Sequence, residues 1–143
     1  MERFAQEVRR FYPFAPFLGA IVRYDFEWRG FYFTKGTSVL VDLYGVNHNS
    51  NLWENPNEFR PERFIDRESD LFDFVPQGGG DPYNGHRCPG EKATVKIMEA
   101  SFRFLIYELN YDVTSGQDLS ISHVRMPTLP KSRFVIQNIS INK

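Results

Sequence analysis

A single cysteine, Cys88, stands among 143 residues, so no internal disulfide can form. A lone thiol suits a reducing compartment. Long apolar runs are also missing. The most apolar stretch, Phe14 to Val22, is broken by Pro16 and Gly19. It falls far short of the roughly 20 residues needed to cross a bilayer. The opening Met1-Glu2-Arg3-Phe4-Ala5-Gln6-Glu7 mixes charge with apolar residues and lacks the apolar core of a secretory signal. Positive charge is not in excess: 17 Lys and Arg oppose 18 Asp and Glu. Nucleic acid therefore finds no basic face to bind. No heptad, internal repeat or low-complexity tract is present. These absences lead us to expect a soluble, cytoplasmic protein with no membrane span.

What is present is a globular composition, 41% hydrophobic and 16% aromatic, with 14 Phe. Residues 2 to 12 read as a helix with Phe4, Val8 and Phe11 on one face, stopped by Pro13. Phe14 to Gly19 reads as a proline-punctuated loop. Phe26-Glu27-Trp28 and Phe31-Tyr32-Phe33 flank Arg29-Gly30 as a hairpin. Lys35-Gly36 is a further turn, followed by a strand over Ser38 to Val41. Asp42 to Val46 fits a short helix. From Asn47 to Gly85 the chain is rich in Asn, Pro, Gly and Asp. It is expected to be irregular, a length of loop that usually has a function. Pro89 to Leu109 is the strongest helix, with Val95, Met98, Phe102, Leu105 and Leu109 in one stripe. Tyr111 to Val113 and Phe134 to Ile136 read as strands.

Chemistry concentrates at Cys88, inside Gly85-His86-Arg87-Cys88-Pro89-Gly90-Glu91. A thiolate at a helix start is favoured by free backbone N–H groups and by the positive end of the helix. Arg87 and His86 add positive charge. Gly90 lets a flat ligand approach the backbone. Such a thiolate suits a haem iron, where it donates electron density. On the residues alone, a buried, inert thiol is the commoner reading. Gly78-Gly79-Gly80 lacks the Lys-Ser/Thr of a phosphate-binding loop, and no Cys/His spacing fits zinc. His48 and His123 stand isolated in the sequence and read as structural or solvated.

Three segments go further. Glu7-Val8-Arg9-Arg10-Phe11-Tyr12-Pro13 resembles the Glu-x-x-Arg helix of the cytochrome P450 superfamily. Asn57-Glu58-Phe59-Arg60-Pro61-Glu62-Arg63-Phe64 resembles its Phe-x-Pro-Glu-Arg-Phe segment, and His86-Arg87-Cys88-Pro89-Gly90 resembles the end of its cysteine loop. The three occur in the family's order. The resemblance implies a mainly α fold with a smaller β region, of which residues 1–143 would form the C-terminal haem-binding part of a single domain. It implies haem b (iron-protoporphyrin IX) as cofactor and Cys88 as axial iron ligand. His86 would meet a haem propionate, with Arg87 as rival, and Arg23 is a weaker candidate for the other propionate. Glu7, Arg10 and Arg63 would form a structural triad, and the loop with Pro16, Phe17 and Leu18 would line the substrate side.

One departure narrows the resemblance. Gln77-Gly78-Gly79-Gly80 stands where the family begins Phe-Gly-x-Gly, and Asp81-Pro82-Tyr83-Asn84 is inserted before Gly85. With Pro16 to Ala20 and Asp42-Leu43-Tyr44-Gly45, this is similar to the bacterial fatty-acid peroxygenase branch. The branch implies hydrogen peroxide as oxidant, long-chain fatty acid as substrate, hydroxylation or decarboxylation as outcome, and no redox partner. Gln77 is expected to place a polar group near the thiolate. Two rivals stand beside this reading: a reductase-dependent monooxygenase, and an inactive truncated remnant. The 143 residues alone are expected to be inactive.

Overall fold

The structure is a computed structural model that describes residues 1–67 and 70–142. Helix α1 spans Glu2–Phe11. The chain then runs through β1 (Phe17–Ile21), β2 (Phe26–Trp28), β3 (Phe31–Phe33) and β4 (Ser38–Asp42) into a short helix α2 (Leu43–Asn47). A 3-10 turn at Pro61–Phe64 is the one helical element between α2 and α3 (Glu91–Arg103), among the described residues. A π-turn, Phe104–Glu108, follows α3 directly, and β5 (Leu109–Val113) and β6 (Ile136–Ile141) close the order.

The strands form three separate antiparallel pairs, β1 with β4, β2 with β3 and β5 with β6. The β2–β3 pair is the expected hairpin. Arg29 at φ 50° and Gly30 at φ 79° make a two-residue turn of positive φ, which matches strand twist. Asp42 caps α2 by accepting the Gly45 N–H at 2.7 Å. Within the described residues helix and strand are about equally represented, so this stretch by itself displays no clear helical majority.

The expected loop at Phe14 to Gly19 is corrected. Phe17 and Leu18 belong to β1, where Phe17 pairs with Asp42 and Leu18 with Val41. Pro16 precedes the strand, which leaves the ladder free of the proline that would break it. The last strand begins at Ile136 rather than Phe134, and α3 begins at Glu91 with Gly90 at its N-cap. The apolar stripe on α3 is only partly covered: Val95 is buried while Leu105 is exposed.

The centre of the molecule is α1, packed against α3, α2 and the 3-10 turn. Its buried face is not its apolar one. Glu7 and Arg10 are fully buried and Arg9 nearly so, whereas Phe4 is 40% exposed. Phe4 instead meets Phe59 and Phe102 edge-on, at centroid separations of 5.4 and 5.1 Å. Beside the charges sits an aromatic group of Trp53, Phe64 and Phe74. The guanidinium groups of Arg10 and Arg67 lie over the Trp53 ring, 5.3 and 3.8 Å from its centroid. Cations of this kind can be buried because aromatic faces attract them.

Candidate functional site

Two polar networks converge on α1. In the first, Arg10 donates from Nε to Glu7 Oε2 and from Nη2 to Glu7 Oε1, both at 2.8 Å. Its remaining N–H groups reach the carbonyls of Asn47 at 2.8 Å, Pro56 at 2.9 Å and Glu58 at 3.2 Å. Arg63 joins through Nε, 3.2 Å from Glu7 Oε1, and bonds the carbonyls of Glu54, Asn55 and Glu58. The backbone N–H of Arg60 gives the Glu7 carboxylate a further donor at 2.8 Å. The structure thus brings Glu7, Arg10 and Arg63 together and pins the irregular segment onto α1. A planar fork with five donors can do this where an ammonium cannot.

The second network lies at the cysteine loop. Gln77 opens that loop and Cys88 closes it, since the Cys88 N–H donates to the Gln77 carbonyl at 3.0 Å. Gly78 takes φ 91°, and a Cβ there would stand 2.3 Å from the His86 carbonyl oxygen. Only glycine fits so close to a crossing backbone. The inserted Asp81 folds its own turn, accepting the N–H groups of Tyr83 and Asn84 at 2.9 Å each. Glu91, in the first turn of α3, binds Arg87 through Nε and Nη2 and Arg9 through Nη2. Burial alone would push the Glu91 carboxyl up. The Arg87 and Arg9 guanidiniums outweigh it and hold that carboxyl below its ordinary range.

Cys88 is half-buried. A Cβ on Gly90 would lie 3.6 Å from the Cys88 Sγ, so the glycine keeps that flank of the sulfur open. The cap of α3 makes no side-chain hydrogen bond, and the first N–H of the helix, that of Glu91, donates to the Cys88 carbonyl at 3.2 Å. A soft thiol with an open flank suits a haem iron. Arg87 is committed to Glu91, whereas the exposed His86 ring makes no hydrogen bond among the described residues. Arg23 is exposed between β1 and β2.

A mainly apolar hollow of about 680 Å³ opens beside the start of the loop, walled by Val8, Tyr12, Phe14, Met98, Ile121 and Phe134. Gln77 and Thr94 supply its polar corner. Cys88 borders a different and more polar hollow of about 600 Å³, with Tyr83, Lys92 and Val95. The expected substrate-side residues Pro16, Phe17 and Leu18 line neither; Phe14 and Tyr12 occupy the apolar wall instead.

Other residues acquire partners that the sequence did not disclose. Asn47 is fully buried, and its Oδ1 accepts the Val75 N–H at 3.1 Å. His48 and His123 are not isolated: the His48 ring stacks on Tyr44 and the His123 ring lies tilted against it, each with a centroid separation of 4.0 Å. No group of His, Cys, Asp and Glu among the described residues could hold a metal ion. No helix of the described residues is long and apolar enough to cross a membrane.

Comparison with known proteins places this geometry. The family model described as Cytochrome P450 matches residues 1–132. A solved variant of cytochrome P450SP alpha is 52% identical with a TM-score of 0.88, over 99% of this chain and 35% of that one. Cytochrome P450EX alpha with myristic acid is 48% identical, with a TM-score of 0.86 over 99% and 34% of the two chains. Cytochrome P450 OleT in complex with arachidonic acid gives 44% and 0.83, again over 99% and 34%. Among curated proteins, Protopine 6-monooxygenase of Papaver somniferum is 28% identical over 91% of this chain and 25% of its own length. The chain therefore spans about a quarter of the curated relatives and a third of the solved ones.

Proposed function

Because this chain belongs to the cytochrome P450 family, we propose that it is the C-terminal, haem-ligating part of one enzyme domain that oxidises long-chain fatty acids with hydrogen peroxide. The observation that carries the reading is the cysteine loop: Cys88 at the uncapped start of α3, behind a loop lengthened by Asp81 to Asn84. The family relation implies haem b, and the thiol and the glycine beside it fit that group.

Each residue then has a task. Cys88 would hold the iron as a thiolate. Gly90 leaves room beside the sulfur for the macrocycle. His86, with its ring uncommitted, would bind a propionate, and Arg87 stays with Glu91. Glu7, Arg10 and Arg63 hold the irregular segment to α1 and take no part in the chemistry. Haem iron bound by a thiolate supplies oxidation of unactivated carbon, and its electron-rich ligand favours O–O cleavage. The apolar wall of Val8, Tyr12, Phe14 and Phe134 suits an acyl chain, which loses water on entering it.

The resemblance of the long cysteine loop to the fatty-acid peroxygenase branch supports peroxide as oxidant. The identity of 44 to 52% to the solved relatives, two of them with a fatty acid, supports the substrate class. The test is turnover of myristic acid, in two mixtures, by the complete haem-loaded enzyme of which this chain would be the C-terminal part. One holds hydrogen peroxide alone; the other holds NAD(P)H, a reductase and a ferredoxin. Turnover with peroxide alone is expected. Turnover only in the second mixture would replace the peroxygenase by a reductase-dependent monooxygenase, and none in either would leave a protein without this activity.

A further inference from the structure

Arg9 belongs to neither the Glu7 triad nor the cysteine loop, yet it touches both ends of that loop. It is 5% exposed. One Nη2 group donates to Gln77 Oε1 at 2.9 Å and to Glu91 Oε1 at 2.5 Å, and Nη1 donates to Gln6 Oε1. Gln77 precedes Cys88 and Glu91 follows it. The Gln77 amide continues the chain of bonds, with Nε2 3.2 Å from Thr94 Oγ1 on α3. The Gln77 carbonyl meanwhile receives the Cys88 N–H at 3.0 Å. Gln77 is therefore bonded to the ligand residue through its backbone and to Arg9 through its side chain.

We propose that Arg9 is a positioning residue for Cys88: it clamps both ends of the cysteine loop to α1 and thereby sets where the thiolate stands. The proposal rests on the haem-thiolate reading of Cys88. It also gives Gln77 a reason, since that residue stands where the family pattern has Phe. A phenyl ring offers Arg9 no acceptor in the plane of its fork, whereas the amide oxygen does. With Gln77 absent, Arg9 would keep only one partner on the loop side and a buried donor would go unmet. Its Nε already lacks a partner, so the group is held by its terminal bonds alone. The cluster sets two guanidiniums against one carboxylate, a positive balance on the loop that carries a thiolate.

Arg9→Leu tests the clamp. Glu91 retains Arg87 in that variant, so no carboxylate is stranded. Amide hydrogen exchange is read on the full 143-residue chain without haem. Two charge-assisted bonds to the loop are lost, so exchange over residues 77–91 should rise by about tenfold or more. The β2–β3 hairpin should not change. Arg9→Lys should restore part of the protection, and Gln77→Leu should reproduce part of the loss. With haem bound, Arg9→Leu should weaken the red-shifted carbon monoxide band of thiolate ligation at unchanged haem content. An unaltered loop exchange or an unaltered band overturns the proposal. So does an equal rise in exchange along the whole chain, which would make Arg9 a packing residue. If Arg9→Leu does not fold, Gln77→Leu decides by the same two readings. The exchange reading needs no haem, so its failure is separate from a failure of the ligand assignment.

Discussion

The Glu7 carboxylate and the Arg10 guanidinium form a two-bond ion pair, both N–O distances 2.8 Å, with no part of either side chain open to solvent. The further hydrogen bonds of Arg10 end on backbone carbonyls, that of Asn47 at the end of α2 and those of Pro56 and Glu58 in the segment between α2 and the 3-10 turn. The pair therefore stabilises a long irregular stretch that has little regular hydrogen bonding of its own.

Removing one partner strands the other. Glu7→Gln leaves the buried Arg10 and Arg63 without their carboxylate, a loss on the order of 3–5 kcal/mol. We expect the urea midpoint, followed by circular dichroism, to fall sharply. Arg63→Ala should cost less, since its outer N–H groups sit on exposed carbonyls. Equal and small losses in both variants would show the network to be ordinary surface charge.

Cys88→Ala should leave the fold intact, because the thiol is only half-buried and makes no structural bond through its sulfur among the described residues. It should abolish the red-shifted carbon monoxide spectrum of thiolate-bound haem. A variant that folds and keeps that spectrum would remove Cys88 from the iron.

Gly78→Ala forces a side chain into φ 91° and toward the His86 carbonyl at 2.3 Å. The backbone strain alone is of order 1–3 kcal/mol, and the contact adds to it. The expected result is a lower urea midpoint with loss of haem affinity. Gly30→Ala provides the comparison: its φ is also positive, at 79°, but nothing lies within 4 Å of the added carbon.

Acid should destabilise the protein in two stages. Burial, opposed by the Tyr44 carbonyl, pulls the His48 imidazole below its ordinary value. A lowered folded value means stability that is present above roughly pH 6.5 and lost as pH falls through the folded value. The Glu91 carboxyl is also held low, so its contribution is present above about pH 4.3 and lost below it. Urea midpoints measured from pH 8 to 3 should fall in both windows. Glu91→Gln should flatten the lower window and leave the upper one; an unchanged lower window would show that Glu91 carries no such linkage.

Local rules read the hairpin, the short helix near Asp42 and the helix after Cys88 from the sequence, because each depends on residues within a few positions of one another. Arg29-Gly30 is legible as a turn for the same reason, and so is the Glu7–Arg10 pair at i, i+3. The triad needed more: Arg63 lies 56 residues from Glu7, and only the family resemblance joined them before the fold did. The strand at Phe17 and Leu18 was missed because two prolines nearby masked a short run whose partner, β4, lies beyond a whole hairpin.

By itself, the sequence determined that Cys88 stands at the start of a helix with a glycine beside it, and that no second thiol competes with it. Only the tertiary structure decided which charges of α1 are buried. Phe4, Val8 and Phe11 mark the apolar face, yet Glu7, Arg9 and Arg10 are buried along with Ala5, because the loops folded over α1 supply their partners. The Arg9 contacts with Gln77 and Glu91 span 68 and 82 residues, and the Tyr44 ring draws His48 and His123 together. Such contacts depend on the path of the irregular segments through space, and no periodicity in the sequence encodes that path.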